Sequence, residues 1–166
     1  MFTVVFISTI LWGCSSQLWL QKKTENLIEK YQNIADTIYV YSTALNDCNI
    51  VWYHKDNLMH CFSIKPHTTK QHKIIEAKDI ILDNEIIEKY FENFLFKETK
   101  CFESVLDGEW IKIYIKNKEP LFSSIDTECL FSTKFKANSF PYKLQYDLFK
   151  LGISPVGFNF ENMYFE

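Results

Sequence analysis

Short apolar runs of strand length occur in neighbouring pairs in this sequence, and that arrangement restricts the fold more than any other feature. The first pair is residues 50–54 (IVWYH) and 58–64 (LMHCFSI), separated by the turn-forming sequence KDN at 55–57. If the turn centres on the last two of those residues, Trp52 lies opposite Cys61. Two runs joined by so short a turn predict an antiparallel hairpin.

A second pair follows further along the chain. Residues 110–116 (WIKIYIK) alternate in character, and the turn sequence NKE at 117–119 leads back into 121–125 (LFSSI). Strand alternation places one set of side chains on each face. The two sets are Trp110, Lys112, Tyr114 and Lys116 on one face, and Ile111, Ile113 and Ile115 on the other.

Three segments have helical spacing. Apolar residues repeat at that spacing over 24–42, with Thr24 as a suitable N-cap. A second helix is predicted to begin after Asp83, which would cap it. A third, opened by a proline and closed by a glycine, covers 142–151.

The order of these elements indicates the fold class. Further strands are predicted near 73–77 and over 129–135 and 156–165. Because the strands come in hairpins and do not alternate singly with helices, the sequence predicts α+β architecture with a mainly antiparallel sheet and about three helices.

The N-terminal segment carries a separate signal. Residues 2–12 (FTVVFISTILW) are uncharged and mostly apolar. They are too few to span a bilayer as a helix, but they match the apolar region of a signal peptide. The run ends in Leu11-Trp12-Gly13-Cys14, with an aliphatic residue three places before the cysteine and a small residue directly before it. This resembles the lipobox of bacterial lipoprotein precursors.

The resemblance implies how the chain is processed and where it is located. Residues 1–13 would be a removed signal peptide, and the thiol of Cys14 would carry acyl chains such as palmitate. Residues 14–23 would form a lipidated tether, and residues 24–166 a single α+β domain. Two acyl chains give stable membrane attachment. We therefore expect a lipid-anchored protein of the cell envelope, which would face the periplasm in a Gram-negative cell.

Two other interpretations of this segment stay open. Residues 2–20 could form one uncleaved anchor, because Leu18, Trp19 and Leu20 extend the apolar stretch. Lys22-Lys23 would then hold the domain in the cytoplasm. Alternatively, the segment is a buried first strand of a soluble domain, and Cys14 is an ordinary core residue.

Charge and composition argue against nucleic acid as a partner. The net charge is −3, and all 18 basic residues are lysines. They are spread along the chain and do not form the basic patch that nucleic-acid-binding domains show. The missing arginines also exclude sites built on a bidentate guanidinium clamp.

Four cysteines remain after Cys14, and an even number in an exported protein permits two disulfides. They are Cys48, Cys61, Cys101 and Cys129. In the predicted hairpin register, Cys48 lies roughly 13 Å along the strand from the partner of Cys61. A bond between those two is therefore disfavoured, and pairings with Cys101 or Cys129 stay open. All four could equally be buried free thiols.

Four histidines fall within 19 residues, which raises the question of a metal site. They are His54, His60, His67 and His72. None forms the tight ligand pairs that structural zinc sites use, and His60 and Cys61 point to opposite faces of a strand. We expect no metal and no other cofactor.

Catalytic signatures are lacking in the sequence. It contains no G-x-S-x-G, H-E-x-x-H or C-x-x-C motif. The carboxylates Glu103, Asp107 and Glu109 gather before Trp110, but they are best interpreted as turn and surface residues. The interpretation therefore leans away from an enzyme, although an envelope hydrolase with an acid and base far apart in sequence stays the alternative.

Aromatic content is high at 17%, which suits a binding protein. Rings with one polar end favour half-exposed surfaces that contact glycans or proteins. A binding face of this kind would include Trp52, Tyr53, Trp110 and Tyr114, whereas the default for aromatic residues at strand or helix spacing is the hydrophobic core. The leading hypothesis is a non-catalytic envelope module that binds a protein or glycan partner or supports an assembly, with the membrane contacted through the lipid.

Overall fold

A computed structural model describes residues 2–43, 47–66, 71–77, 80, 82, 84–92, 101, 108–137 and 139–164, with side chains of the first helix from Ser16 onward. The helices are α1 (Phe2–Tyr31), α2 (Asn84–Glu92), α3 (Thr127–Ser132), α4 (Phe140–Lys150) and α5 (Phe160–Tyr164). The strands are β1 (Thr37–Ser42), β2 (Asn49–Lys55), β3 (Leu58–Ile64), β4 (Gln71–Glu76), β5 (Glu109–Ile115) and β6 (Leu121–Ile125).

The strands form one six-stranded sheet in the order β4-β3-β2-β1-β5-β6. Every neighbouring pair is antiparallel. The chain builds β1 to β4 as a meander and then returns through α2 to add β5 and β6 beside β1. This confirms the predicted α+β fold with a mainly antiparallel sheet, although the described residues form five helices where about three were predicted.

The hairpin between β2 and β3 has the predicted register, with Trp52 paired to Cys61. Its turn residues, Asp56 and Asn57, have φ angles of 53° and 61°. Positive φ at both central positions is the mark of a tight two-residue hairpin turn, and Asp and Asn tolerate it better than most residues. Local turn chemistry therefore sets the register of this half of the sheet.

The alternation predicted for β5 is also confirmed. Ile111, Ile113 and Ile115 are fully buried, whereas Lys112 on the opposite face is exposed. The isoleucine face packs toward α2 and α4, while the other face lies on the same side of the sheet as α1. The sheet is thus the middle layer between one long helix and a group of shorter ones.

Two hydrophobic cores lie on the two faces of the sheet. The major core fills the side of α2 to α5 and includes Tyr39, Tyr41, Trp52, Ile111, Ile113, Leu130, Phe140, Leu144 and Leu148. The α1 core fills the other side and includes Leu20, Leu27, Ile28, Ile38, Val40, Val51, Tyr53 and Phe62. Burial of each large apolar side chain contributes about 1.5–3 kcal/mol, so both layers stabilise the sheet.

For the helix predicted over 24–42, both predicted ends are wrong. The first helix begins upstream of Thr24, which lies inside α1 and donates from its Oγ1 to the carbonyl of Leu20 at 2.8 Å. It ends at Tyr31, and the residues from Thr37 form β1. β1 lies at the centre of the sheet with both faces covered, so the residues IYVY are all buried. Such a run has no alternation, and it therefore fits the apolar spacing of the preceding helix as well as that of a strand.

Two predicted strands are also wrong. Residues 129–135 overlap α3, whose N-cap Asp126 accepts a hydrogen bond from the backbone N–H of Cys129 at 3.0 Å. Residues 156–165 contain α5. Both helices are too short to show a helical repeat, so their apolar and aromatic residues resemble those of strands.

The third predicted helix is confirmed as α4. Ser139 caps it, a proline occupies its first turn, and Gly152 follows it with a φ of 78°. The proposed cap of α2, Asp83, lies outside the described residues. Within the described part of the chain, no helix combines the length and apolar character needed to cross a membrane.

Candidate functional site: a groove beside the first helix

A groove of about 420 Å³ runs between α1 and the part of the sheet formed by β1, β5 and β6. Its size is within the usual range for small-ligand sites. Its walls combine aromatic, amide, hydroxyl and charged side chains. They are Gln17, Leu20, Gln21, Thr24 and Glu25 from α1, and Val40, Ser42, Asn49, Trp110, Lys112, Tyr114 and Phe122 from the sheet.

The floor of the groove is a chain of hydrogen bonds that fixes α1 to the sheet. Ser42 donates from its hydroxyl to the side-chain oxygen of Asn49 at 2.8 Å. Asn49 in turn donates from its amide to Thr24 at 2.9 Å, and Thr24 donates to the carbonyl of Leu20. These buried polar groups satisfy one another, so the floor is stable without a ligand.

Two contacts with β2 show the direction in which α1 runs. Thr24 bonds Asn49 at the start of β2, and the ring of Tyr31 lies 5.2 Å from that of Tyr53 near the end of β2. The helix therefore runs along β2 in the same direction. The residues of α1 that precede Thr24 include the groove residues Gln17, Leu20 and Gln21.

The sheet wall of the groove carries a stacked aromatic pair. The rings of Trp110 and Phe122 have centroids 4.7 Å apart and planes within 12° of parallel. They are diagonal neighbours, because Trp110 pairs with Ser124 and Phe122 pairs with Lys112. Phe122 is 54% exposed, an unusual degree for a phenylalanine. Beside them, the ammonium of Lys112 lies 5.7 Å from the ring centre of Tyr114.

The charges on the groove are few and balanced. Among the residues that the structure describes, Glu25 on α1 and Lys112 on β5 are the two charged residues that line it. Gln21 donates from its amide to the Glu25 carboxylate at 2.8 Å. With one carboxylate and one ammonium, the groove favours neither strongly anionic nor strongly cationic ligands.

The groove contains part of the predicted binding face. Trp110 and Tyr114 line it, whereas Trp52 is fully buried in the major core and Tyr53 is buried in the α1 core. These two residues are neighbours on β2 and point to opposite faces of the sheet, and each face is covered by one of the two cores. The sequence could not show that both faces of β2 are covered. Phe122 was missed, although the predicted hairpin of β5 and β6 could have indicated it, since it lies opposite Lys112.

A second cluster of polar groups lies in the major core, around Asp147 on α4. Its carboxylate accepts from the indole N–H of Trp52 at 3.0 Å and contacts Nε2 of His54 at 3.1 Å. The ammonium of Lys143, one helical turn earlier, is 3.2 Å from the same carboxylate. Burial alone would raise the pKa of Asp147. The charge of Lys143 and the hydrogen bonds from His54 and Trp52 outweigh that effect and lower the pKa below its usual value.

This cluster is closed to substrates. The side chains of His54, Lys143 and Asp147 are 5%, 4% and 1% exposed. A histidine beside a carboxylate is a common catalytic pair, but a general base must reach its substrate within hydrogen-bond distance. The arrangement is that of a structural ion pair inside a core.

The carboxylates predicted to gather before Trp110 are only partly described. Glu103 and Asp107 lie outside the described residues. Glu109 accepts a short hydrogen bond from the hydroxyl of Tyr41. Burial raises the pKa of Tyr41, and the bond to Glu109 raises it further. Glu109 thus tethers β5 to β1.

The cysteines fall into two groups. Cys101 and Cys129 form a disulfide, with Cα atoms 5.0 Å apart, which joins the segment before β5 to α3. Cys48 and Cys61 are buried free thiols. Burial raises the pKa of the Cys61 thiol, which reduces its thiolate fraction and hence its reactivity.

The histidines serve packing in the described residues. His60 stacks on Tyr53 at 4.9 Å and His72 on Phe62 at 4.5 Å. His54 belongs to the Asp147 cluster, and His67 lies outside the described residues. Across the part of the chain that the structure describes, no three His, Cys, Asp or Glu side chains are grouped to hold a metal ion.

Comparison with known proteins gives no family for this chain. No family model, no curated protein and no solved structure matches it.

Proposed function

We propose that this chain is a lipid-anchored cell-envelope protein whose domain binds a partner in the groove between α1 and β5–β6. The observation that carries the proposal is the stacked pair of Trp110 and Phe122 on the groove wall. A phenylalanine that is half exposed beside a tryptophan leaves apolar area in contact with water. Such area in a concave site is typical of a binding surface.

The position of the groove along the chain supports the link to the anchor. Cys14, the cysteine of the lipobox-like sequence, lies on α1 one turn before the first groove residue, Gln17. Cys14 precedes Thr24 by ten residues, which is about 15 Å along a helix axis. A lipid on Cys14 would therefore place the groove residues of α1 close to the membrane surface.

The alternative of an envelope hydrolase has less support. Its best acid and base candidates, His54 and Asp147, are buried in the major core and away from the groove. The groove itself offers one carboxylate, Glu25, beside Gln21. Binding is therefore the function that the geometry of the described residues favours.

Photo-crosslinking in intact cells tests whether the groove is occupied. A benzophenone-bearing amino acid in place of Phe122 should give a covalent adduct, detected as an added mass on the purified protein. The matched control carries the same group in place of Ile74. That residue is 52% exposed and lies on β4, at the opposite edge of the sheet.

The pattern of adducts decides the proposal. We expect an adduct at position 122 and none at position 74, and we expect Trp110→Ala to reduce it. Equal adducts at both positions, or none at either, would contradict a binding role for the groove.

A further inference from the structure

We infer that the ligand of the groove is a neutral oligosaccharide. This inference rests on the proposed function for the location of the binding site, and it adds the chemical class of the ligand. Three properties of the groove carry it: the kind of groups that the sheet presents, the polarity of the helix wall, and the balance of charge.

Where β1 and β5 form the groove, the sheet can offer its ligand side chains only. β1 is hydrogen-bonded to β2 and β5 on its two sides, and β5 is hydrogen-bonded to β1 and β6. Their backbone N–H and C=O groups are therefore engaged in the sheet. A peptide that binds by adding a strand needs a free strand edge, which β1 and β5 do not have; on this side of the sheet the free edge belongs to β6.

The helix wall is too polar for an apolar ligand. Gln17, Gln21 and Glu25 are exposed residues on the α1 side of the groove. An amphipathic helix or a lipid chain buries its apolar face against apolar walls, and it would leave these amide and carboxylate groups without water. A ligand rich in hydroxyl groups would instead give them hydrogen-bond partners.

The two walls together match the chemistry of a sugar ring. A pyranose has apolar C–H faces and a rim of hydroxyls. Its faces suit the aromatic surface of Trp110 and Phe122, and its rim suits the amides opposite. Within the described lining, the carboxylate of Glu25 and the ammonium of Lys112 balance each other, which favours a neutral ligand.

Binding to a panel of immobilised oligosaccharides tests the inference. The panel contains neutral, N-acetylated and acidic sugars, and the probe is the detergent-solubilised full chain. We expect binding to neutral or N-acetylated oligosaccharides. Trp110→Ala and Phe122→Ser should each weaken it about tenfold, since aromatic anchors dominate such sites. Trp110→Phe should retain most of it, and the control Ile74→Ser, at an equally exposed position on β4, should bind as wild type does.

The outcomes separate this inference from the proposed function. In the first outcome, no sugar binds to the wild type more than to Trp110→Ala, yet the crosslink at position 122 persists and its adduct contains peptide. The groove then binds a protein, and the inference is overturned. If only acidic sugars bind, and binding disappears with Lys112→Gln, the neutral ligand is overturned. If neutral sugars bind and Ile74→Ser weakens binding as much as Trp110→Ala does, the site is not the groove and the inference is again overturned.

Discussion

At the scale of single residues, Asp147 stands out because its carboxylate is buried among charged and polar partners inside the major core. It is a fully buried carboxylate held by Lys143, His54 and Trp52. A buried ion pair adds little net stability compared with apolar residues, but removal of one partner leaves the other charge in a medium that solvates it poorly. The cluster thus joins α4 to β2 at a position where substitution is costly.

We expect Asp147→Asn to lower the free energy of unfolding by about 3–5 kcal/mol at pH 7, because the ammonium of Lys143 loses its carboxylate. The pKa of Asp147 is lowered in the folded protein. Its stabilisation is therefore present above the unfolded-state pKa of about 3.9 and is lost as pH falls through the lower folded pKa. Urea unfolding of both proteins between pH 7 and pH 2.5 should show the difference shrinking below about pH 4.

Glu161→Gln is the control for that comparison, because Glu161 is an exposed carboxylate in the first turn of α5. It should change stability by less than about 0.5 kcal/mol. A constant difference between wild type and Asp147→Asn across the whole pH range would show that the carboxylate is not held ionised by its neighbours.

Sequence patterns could predict only half of this cluster. Lys143 and Asp147 are four residues apart in a helix that was predicted, so their shared face was available from spacing. Their burial and the partner His54, which is 93 residues away, depend on how α4 packs on the sheet. Contacts at that separation are set by tertiary structure and leave no local signal.

At the scale of elements, predictions supported by turn or cap residues or by clear alternation were correct, and those that rested on an unbroken apolar run were not. The β2–β3 hairpin and α4 were predicted because Asp56-Asn57, Pro141 and Gly152 have specific backbone preferences. β1 was taken for helix because a strand covered on both faces has no alternation to distinguish it. α3 was predicted as a strand because a helix of six residues is too short to show a helical repeat; its one local signal is the N-cap Asp126.

The disulfide between Cys101 and Cys129 should stabilise the region around α3. The bond closes a loop with a sequence separation of 28, so chain-entropy arguments give about 3–4 kcal/mol. We expect a reductant to lower the free energy of unfolding of the wild type by that amount, which appears as a lower urea midpoint. The double variant Cys101→Ser/Cys129→Ser should have that lower midpoint with or without reductant. A wild-type midpoint that does not change on full reduction, verified by thiol counting, would contradict this role.

At the scale of the whole molecule, α1 connects the N-terminal segment to the groove. The helix packs along β2 through Thr24, Leu27 and Ile28, and its preceding turns carry the groove residues Gln17 and Gln21. The predicted tether at 14–23 lies within α1, and Leu20 is buried in the α1 core. A helical tether is shorter than an extended one and holds a fixed orientation. An anchor at Cys14 would therefore hold the groove at a set height and angle above the membrane.

The sequence predicted the fold class and two aromatic residues of the groove, but it could not predict the groove itself. Trp110 and Tyr114 were available from the alternation of β5. The opposite wall is a helix that reaches this edge of the sheet only because Thr24 bonds Asn49 and Tyr31 packs on Tyr53. Such a concavity exists only after two distant parts of the chain have packed together.

The central claim is the proposal that this domain is anchored to a membrane through Cys14. Metabolic labelling with radioactive palmitate in the native host, combined with membrane fractionation of wild type and Cys14→Ala, tests it most directly. We expect label on the wild type alone and release of the Cys14→Ala protein from the membrane fraction. An unlabelled wild type, or equal label on both proteins, would contradict the claim and remove the reason for placing the groove at a membrane surface.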